Sequence, residues 1–395
     1  MNKAINTICY ISLLFLGMYL AVYQVAINSI SAELAVSSTV SGILISLLFV
    51  GIMIAPAIFG EISDRIGKKP VIIICFGIMI AGLLLVYFFN IVEFIAAGIF
   101  FIGCGFGAIE GLLSGLLADL NSKRTNKVIN ISQMYFSIGA VVGPVSAIWI
   151  TGLLGNWKHN YVLLAVIFLL LLVIIAGQKH AEMNGKGPVT GDMSPGAPVP
   201  APKGSISFFL LKEKRFILLY TAIFIYVGIE EATAFWANTY FIDSFGMEKL
   251  GAYALSGFWG SMIAGRYIGS RFEEKGNTLC FIGLLVSLIS IILALMIKNP
   301  VFSMVCFVLL GLGFSVVWPV LMVTAARSCY NYTGSAMGLM MMSGAAGGIV
   351  VPLLMGAAKE FVDTGTAFLI VPFLACVILL LQRKIRKTMT YKYNI

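Results

Sequence analysis

The sequence predicts an all-α membrane protein in which twelve transmembrane helices form two pseudo-symmetric bundles of six. Of its 395 residues, 60% are hydrophobic and only 11% are charged, whereas soluble proteins carry about 25% charged residues. Apolar segments long enough to cross a bilayer recur along the chain, and they are continuous rather than alternating. Lipid admits only helices and closed barrels, and continuous apolar runs favour helices.

Six predicted spans lie on each side of one long polar interval. The interval is rich in Pro and Gly and has almost no apolar content to bury, so we predict a flexible cytoplasmic linker. The predicted spans are 4–30, 39–61, 70–90, 93–118, 127–152, 160–178, 214–241, 247–271, 278–297, 300–326, 333–357 and 364–382. The predicted domains are an N-terminal six-helix bundle at 1–178, the linker at 179–213, a C-terminal six-helix bundle at 214–382 and a basic cytoplasmic tail at 383–395.

The distribution of basic residues predicts the orientation. The chain carries 26 Lys and Arg and a net charge of +9, which by itself is compatible with a nucleic-acid partner. If the N-terminus is cytoplasmic, nearly all of these residues fall in cytoplasmic segments, and Arg266 lies within a span. We therefore expect a multi-pass protein of the cell membrane with both termini cytoplasmic, in contact with anionic lipids and not with nucleic acid. Four lysines fall on the outer side: Lys158, Lys249, Lys298 and Lys359.

Cysteine and histidine usage argues against a metal site and against catalysis. The 7 Cys lie in or beside spans without metal-ligand spacing, and the 2 His, His159 and His180, lie in loops. No nucleotide-binding loop of the G-x-x-x-x-G-K-[ST] type is present. We expect no metal, no cofactor and no enzymatic activity. If the protein moves a solute against its concentration gradient, the energy for that movement must come from an ion gradient, worth about 2.3 kcal/mol per elementary charge per 100 mV.

The two halves of the chain look like copies of each other. Gly103-x-Gly105-Phe106 recurs as Gly311-x-Gly313-Phe314, and the loop at 60–67 recurs in weaker form at 269–276, with an acid four residues after the first glycine in both. Parallel repeats of this kind are typical of secondary transporters, which bind their solute near the midplane of the membrane, between the halves.

One carboxylate lies deep in an apolar span. Glu110 is placed beside a ridge of glycines, which includes Gly107 and Gly111, in span four. A charged residue at the centre of a membrane helix costs about 2.5–3.5 kcal/mol on insertion scales, so such residues usually serve a function. A low dielectric disfavours the ionised carboxylate, and Glu110 is therefore our main candidate for proton coupling. The alternative is a neutral acid that bonds a neighbouring helix.

The loop between spans two and three carries a specific motif. It reads Gly60-Glu-Ile-Ser-Asp64-Arg65-Ile-Gly67-Lys68-Lys69, in which glycines permit a tight turn and Asp64 is able to meet a helix N-terminus. The motif resembles the corresponding loop of the major facilitator superfamily. The resemblance implies a role in gating between access states for Gly60, Asp64, Arg65 and Gly67.

A nearer resemblance is to the fucose–proton symporter family of that superfamily. The resemblance implies sugar uptake driven by protons or sodium, coupling and solute contact at Glu110, and a cavity amide at Gln133. Phe136 and Phe314 replace polar residues of the family, so the solute is expected to differ from fucose. The segments that carry the resemblance are 105–110, 130–140, 226–230, 258–270, 315–319 and 344–352.

Further candidates lie in other spans. Successive helical residues point about 100° apart, so only one of Glu230 and Glu231 is expected to face a cavity, and we favour Glu230 as a second coupling acid. Arg266 either extends to the cytoplasm or pairs with an acid between the halves, where it would contribute to gating. Trp236 and Trp259 are both explained slightly better by an interfacial aromatic belt than by solute stacking. The remaining candidate solute contacts are Gln24, Asn28, Trp236, Asn238 and Trp318.

The leading hypothesis is a monomeric transporter that takes up a sugar or similarly small polar solute together with protons. One half rocks against the other around a midplane cavity. Sodium is the alternative coupling ion. The run Gly139-x-x-x-Gly143-Pro144 partly resembles proton-driven drug exporters, so export of an amphipathic compound is an alternative function. A membrane receptor that binds a nutrient without transporting it is another.

Overall fold

The computed structural model describes residues 2–35, 38–179, 183 and 204–390. Over this part of the chain it contains helices and turns and no strand, which confirms the predicted all-α fold. Eleven helices in this part are long and apolar enough to cross a membrane. The helix Glu248–Gly269 is not among the eleven, although its 22 residues make it as long as several of them.

The long helices are labelled α1 to α12 in chain order. The N-terminal half contains α1 (Asn2–Glu33), α2 (Ser38–Ile66), α3 (Lys68–Phe88), α4 (Val92–Leu120), α5 (Thr125–Leu154) and α6 (His159–Gly177). The C-terminal half contains α7 (Lys214–Phe245), α8 (Glu248–Gly269), α9 (Gly276–Met296), α10 (Pro300–Phe314 and Val317–Ser328), α11 (Thr333–Lys359) and α12 (Thr364–Ala367 and Ile370–Thr390).

Two helices predicted as continuous, α10 and α12, are interrupted. In both, a proline stands at the third residue after the break, Pro319 in α10 and Pro372 in α12. Proline has no N–H to donate and its ring clashes with the carbonyl four residues earlier, which favours an interruption at these positions. Proline does not by itself require a break, since Pro56, Pro144 and Pro352 lie inside continuous helices.

The predicted linker and tail are partly helical. Most of the linker lies outside the described residues, but Ile206–Lys212 forms a short helix whose first turn is capped by the Ser205 hydroxyl, which accepts a hydrogen bond from the Phe208 N–H. The predicted tail continues α12 to Thr390, because no Gly or Pro follows to end the helix. Residues 391–395 lie outside the described part of the chain.

The halves meet most closely at one end of the bundle. We call this the basic end, because it contains the start of α1, the later turns of α12 and the connections rich in Lys and Arg, such as those after α2 and α8. Contacts between the halves are made chiefly by α2 with α11, by α5 with α8 and by α4 with α11. The closest approaches are at glycine: a Cβ at Gly60 would overlap the Gly334 carbonyl, and one at Gly338 would overlap the Pro56 carbonyl.

Close packing inside the N-terminal half also depends on glycine. A Cβ at Gly139 of α5 would overlap the carbonyl oxygen of Leu14 in α1. We expect Gly139→Val to destabilise the protein by about 1–3 kcal/mol, because overpacking forces the two helices apart. Thermal unfolding of the purified protein in detergent measures the effect.

Gly152→Val is the matched control, because it lies in the same helix and has no neighbouring atom within 4 Å of an added Cβ. Equal loss of stability in the two variants would contradict the packing role of Gly139.

Candidate functional site

Asp64 links the halves at the basic end. Its two carboxylate oxygens accept hydrogen bonds from the backbone N–H groups of Gly334, at 2.9 Å, and Ser335, at 2.7 Å. These two residues lie in the first turn of α11, so Asp64 caps the N-terminus of a helix in the opposite half. The side chain is only 2% exposed, and a carboxylate is favoured at a helix N-terminus by both the free N–H groups and the helix dipole.

The residues around Asp64 extend this contact. Lys68 forms an ion pair with Asp119 at 2.7 Å and donates to the Thr333 hydroxyl at 2.8 Å. The Gly67 backbone has φ 95°, a conformation that side chains disfavour, where the chain turns from α2 into α3. Arg65 instead lies on the surface, where it pairs with Glu61 of the preceding turn.

A second, related contact lies at the repeat-equivalent position. Glu273, in the connection after α8, accepts hydrogen bonds from the backbone N–H groups of Asn126, at 2.9 Å, and Lys127, at 2.8 Å. These residues begin α5 of the other half. Arg327 pairs with Glu273 at 2.6 Å. We call the Asp64 and Glu273 contacts the two latches. Glu273 was not a sequence candidate, although the repeated acid in the two loops was a signal for it.

A buried polar cluster lies between the halves, deeper than the latches. The Gln133 amide of α5 donates to the Glu110 carboxylate of α4 at 3.2 Å. From the other half, the Arg266 guanidinium donates to the backbone carbonyl of Gln133 at 3.1 Å and to the Ser137 hydroxyl. The Nη2 atom of Arg266 lies 3.8 Å from the carboxylate Oε1 of Glu230 in α7. We call these five residues the central cluster.

The cluster holds ionisable groups with almost no access to solvent. Glu110 and Glu230 are 6% exposed and Arg266 is 4% exposed. The Nε atom of Arg266 is also buried without a hydrogen-bond partner. Arg266 therefore points into the seam between the halves rather than toward the basic surface. Such a network is sensitive to any change of charge, because a low dielectric strengthens pairing and makes an unpaired charge costly.

A cavity of about 270 Å³ lies between the halves, on the opposite side of the cluster from the latches. It is walled by α1, α2, α7 and α8, over the parts of these helices that are far from the basic end. Its lining is mainly apolar and aromatic. The lining residues are Leu20, Tyr23, Gln24, Ile27, Ile45, Leu48, Phe49, Glu231, Ala234, Phe235, Leu255 and Trp259.

The cavity contains few of the solute contacts expected from sequence. Gln24 lies in its wall, but the sequence favoured Glu230 over Glu231, and it is Glu231 that lines the cavity. Glu230 lies about 100° further round the helix, in the cluster. Glu110 and Gln133 also belong to the cluster and do not line the cavity. Trp318 is buried in α10, away from the wall, and the Asn28 side chain lies outside the described part of the structure.

Two other expected contacts lie within the C-terminal half. The Trp236 indole N–H donates to the Pro352 carbonyl of α11 at 3.2 Å. The Asn238 amide oxygen packs where a Cβ of Gly251 in α8 would lie. Both residues therefore support contacts between neighbouring helices. Trp259, for which an interfacial aromatic belt was slightly favoured over solute stacking, stands in the cavity wall.

Comparison with known proteins identifies a family of membrane transporters. The sequence model of the Major Facilitator Superfamily matches residues 9–352. A glucose/galactose transporter of Brucella abortus is 23% identical over 332 residues, covering 78% of this chain and 76% of the relative. A putative glucose/galactose transporter of Helicobacter pylori is 24% identical over 333 residues, covering 77% and 76%. The crystal structure of the E. coli fucose:proton symporter superimposes with a TM-score of 0.79 at 16% identity, covering 97% and 98% of the two chains. A likeness at this identity establishes the fold.

The Asp64 latch predicts that the backbone amides of Gly334 and Ser335 are protected from hydrogen–deuterium exchange. Asp64→Asn removes the carboxylate charge, so its hydrogen bonds to the Gly334 and Ser335 N–H groups weaken by about 1–2 kcal/mol. We expect hydrogen–deuterium exchange of peptides spanning these residues to accelerate about tenfold.

The matched control is Asp243→Asn, which removes an acid whose partners, Lys359 and Thr364, lie in its own half. Unchanged exchange at 334–335 in Asp64→Asn would show that the latch does not hold the basic end closed.

The central cluster predicts a rescue by paired substitution. Arg266→Gln leaves the Glu230 carboxylate buried without its cation, which costs about 3–5 kcal/mol. We expect a large loss of thermal stability in detergent for this variant and substantial recovery in Arg266→Gln/Glu230→Gln.

The control is Arg271→Gln, because Arg271 is exposed and follows the end of α8. This variant should change thermal stability little. A double variant no more stable than Arg266→Gln would contradict the pairing of Arg266 with Glu230.

Proposed function

The chain belongs to the major facilitator superfamily, and from this premise we propose that it takes up a sugar or a similarly small polar solute together with protons. Its family confirms the expectation that it is a multi-pass membrane transporter and not an enzyme. The solute class is supported by relatives named as glucose/galactose transporters. A cavity of about 270 Å³ with an aromatic wall suits one small molecule better than a large one.

We propose that transport follows an alternating-access cycle in which the latches open and close the basic end. The latches join the halves at that end, and the cavity lies between the halves at the other. If the basic loops are cytoplasmic, as their charge predicts, this conformation faces the outside of the cell membrane. Release of the Asp64 and Glu273 contacts would then let the solute leave toward the cytoplasm.

The observation that carries proton coupling is the central cluster. Glu110 belongs to the N-terminal half, whereas Arg266 and Glu230 belong to the C-terminal half, so the charge of Glu110 acts across the seam. An ionised Glu110 attracts the Arg266 guanidinium and favours contact between α5 and α8. Protonation removes that attraction and leaves Arg266 with the Glu230 of its own half. Proton binding therefore favours separation of the halves near the basic end, in the direction that uptake requires.

Gln133 has a positioning role in this proposal. Its side-chain amide donates to Glu110 and its backbone carbonyl accepts from Arg266, so one residue contacts both the acid that titrates and the cation that responds. We further propose that the protein acts as a monomer, with the two halves of one chain forming the complete solute path.

The coupling role of Glu110 is tested by Glu110→Gln, which keeps a hydrogen-bonding group but cannot release a proton. We expect this variant to lose uphill sugar accumulation in proteoliposomes with an acidic exterior, while exchange of internal for external sugar persists. In the wild type, accumulation should fall as the outside pH rises, because fewer Glu110 carboxyls are then protonated.

Glu93→Gln is the control, because Glu93 lies in the first turn of the same helix and is exposed. Full accumulation by Glu110→Gln would overturn its coupling role. The same vesicles identify the ion, since replacing sodium with potassium should leave uptake unchanged. Solute efflux driven by inward proton flow would indicate an exporter, and binding without flux would indicate a receptor.

A further inference from the structure

Glu231 is the acid of the solute cavity. Among the described residues that line the cavity, it carries the only carboxyl group, and none carries a Lys, Arg or His side chain. The cavity interior therefore has a local excess of negative charge when Glu231 is ionised. Few water molecules fit into about 270 Å³, so that charge acts on a bound solute with little screening.

The Glu231 carboxyl has no protein partner in the described part of the chain, whereas the other two acids of the seam have one. Glu110 accepts from Gln133, and Glu230 lies beside Arg266. The stem of Glu231 passes close to α11, where a Cβ at Gly348 would lie 3.3 Å from its Cγ. The small residue at 348 leaves room for the side chain, and the carboxyl remains available to a molecule in the cavity.

The rest of the wall suits a cation with an apolar face. Tyr23, Phe49, Phe235 and Trp259 line the cavity together with aliphatic side chains. Aromatic faces attract positive charge, and a carboxylate among them completes a site of the kind that binds organic ammonium groups. A carboxylate-bearing solute would meet repulsion from Glu231 and no basic side chain among the described lining residues.

We propose that Glu231 selects solutes by charge, so that the cavity prefers a sugar-sized solute bearing a protonated amine to a neutral sugar and rejects sugar acids. This inference rests on the proposed function, since it names the class of sugar that the transporter takes. The neutral sugar binds through stacking and through hydroxyl donation to Glu231. The amine adds a charge-assisted hydrogen bond to the same carboxylate.

The test compares four probes of nearly equal size at neutral pH: 6-amino-6-deoxyglucose, glucosamine, glucose and glucuronate. Affinities are measured by isothermal titration of the purified full-length protein. We expect at least one amino sugar to bind about tenfold more tightly than glucose, a factor that corresponds to about 1.4 kcal/mol. Glucuronate is expected to bind at least about tenfold more weakly than glucose.

The variant Glu231→Gln should bring the four affinities close together while glucose binding changes little. Glu360→Gln is the matched control, because Glu360 is exposed and lies outside the cavity wall. The wild-type order of affinities needs no variant, so the inference remains testable if Glu231→Gln does not fold.

Three results would overturn the inference: glucuronate binding as tightly as glucose, an unchanged order in Glu231→Gln, or loss of proton-driven accumulation in Glu231→Gln with the order intact. The last result would assign Glu231 to coupling. If glucose binds and accumulates but charge has no effect, the charge-selection inference fails and the proposed transport function stands. If none of the four sugars binds, both fail.

Discussion

The proposed transport cycle depends on how charge is buried in a seam between two lipid-embedded halves. Glu110, Arg266 and Glu230 lie where water scarcely reaches, so each charge must be balanced by another or by a directed hydrogen bond. The balance crosses the seam: an acid in one half faces a guanidinium in the other, with Gln133 between them. In the proposed cycle, adding or removing one proton at Glu110 changes the free energy of the contact between the halves.

The latches and the glycine contacts would convert a change of charge at Glu110 into opening or closing of the basic end. Asp64 and Glu273 each cap a helix of the opposite half, so both contacts end together when the halves separate. Glycines at Gly60 and Gly338 let the helix backbones touch, which gives the closed end a well-defined geometry. A tightly packed contact of this kind is either formed or broken, so a small electrostatic bias shifts a population between two states. In the proposed cycle, the central cluster supplies the bias and the cavity on its other side binds the solute.

Much of the architecture follows from the sequence, because lipid leaves few choices. The long apolar segments correspond to α1–α12, and the proposed span positions differ from the helices mainly at their ends. The interruptions in α10 and α12 were missed, although Pro319 and Pro372 carry a signal for them. The short helix at Ile206–Lys212 was missed because its stability depends on local capping by Ser205. Composition over a long linker does not reveal such a detail.

The site was harder to predict, because its partners are distant in sequence. The Asp64 motif was recognised, but its target at Gly334 lies 270 residues away, and only the fold brings them together. The choice between Glu230 and Glu231 depends on the rotation of α7 relative to α8 and α11, which hydropathy does not determine. Trp236 and Asn238 are typical solute-binding residue types, yet they pack between helices of one half.

The most direct test of the account measures the separation of the halves while the charge of Glu110 is changed. Spin labels at positions 123 and 275, both exposed at the basic end and in opposite halves, report that distance by pulsed electron resonance after the exposed Cys376 is replaced by Ser. The account predicts a shift toward longer distances on acidification of the wild type, and long distances at both neutral and acid pH in Glu110→Gln. The account would be contradicted by a distance distribution that does not change with pH. It would also be contradicted if Glu110→Gln and the wild type gave the same distance distribution at neutral pH.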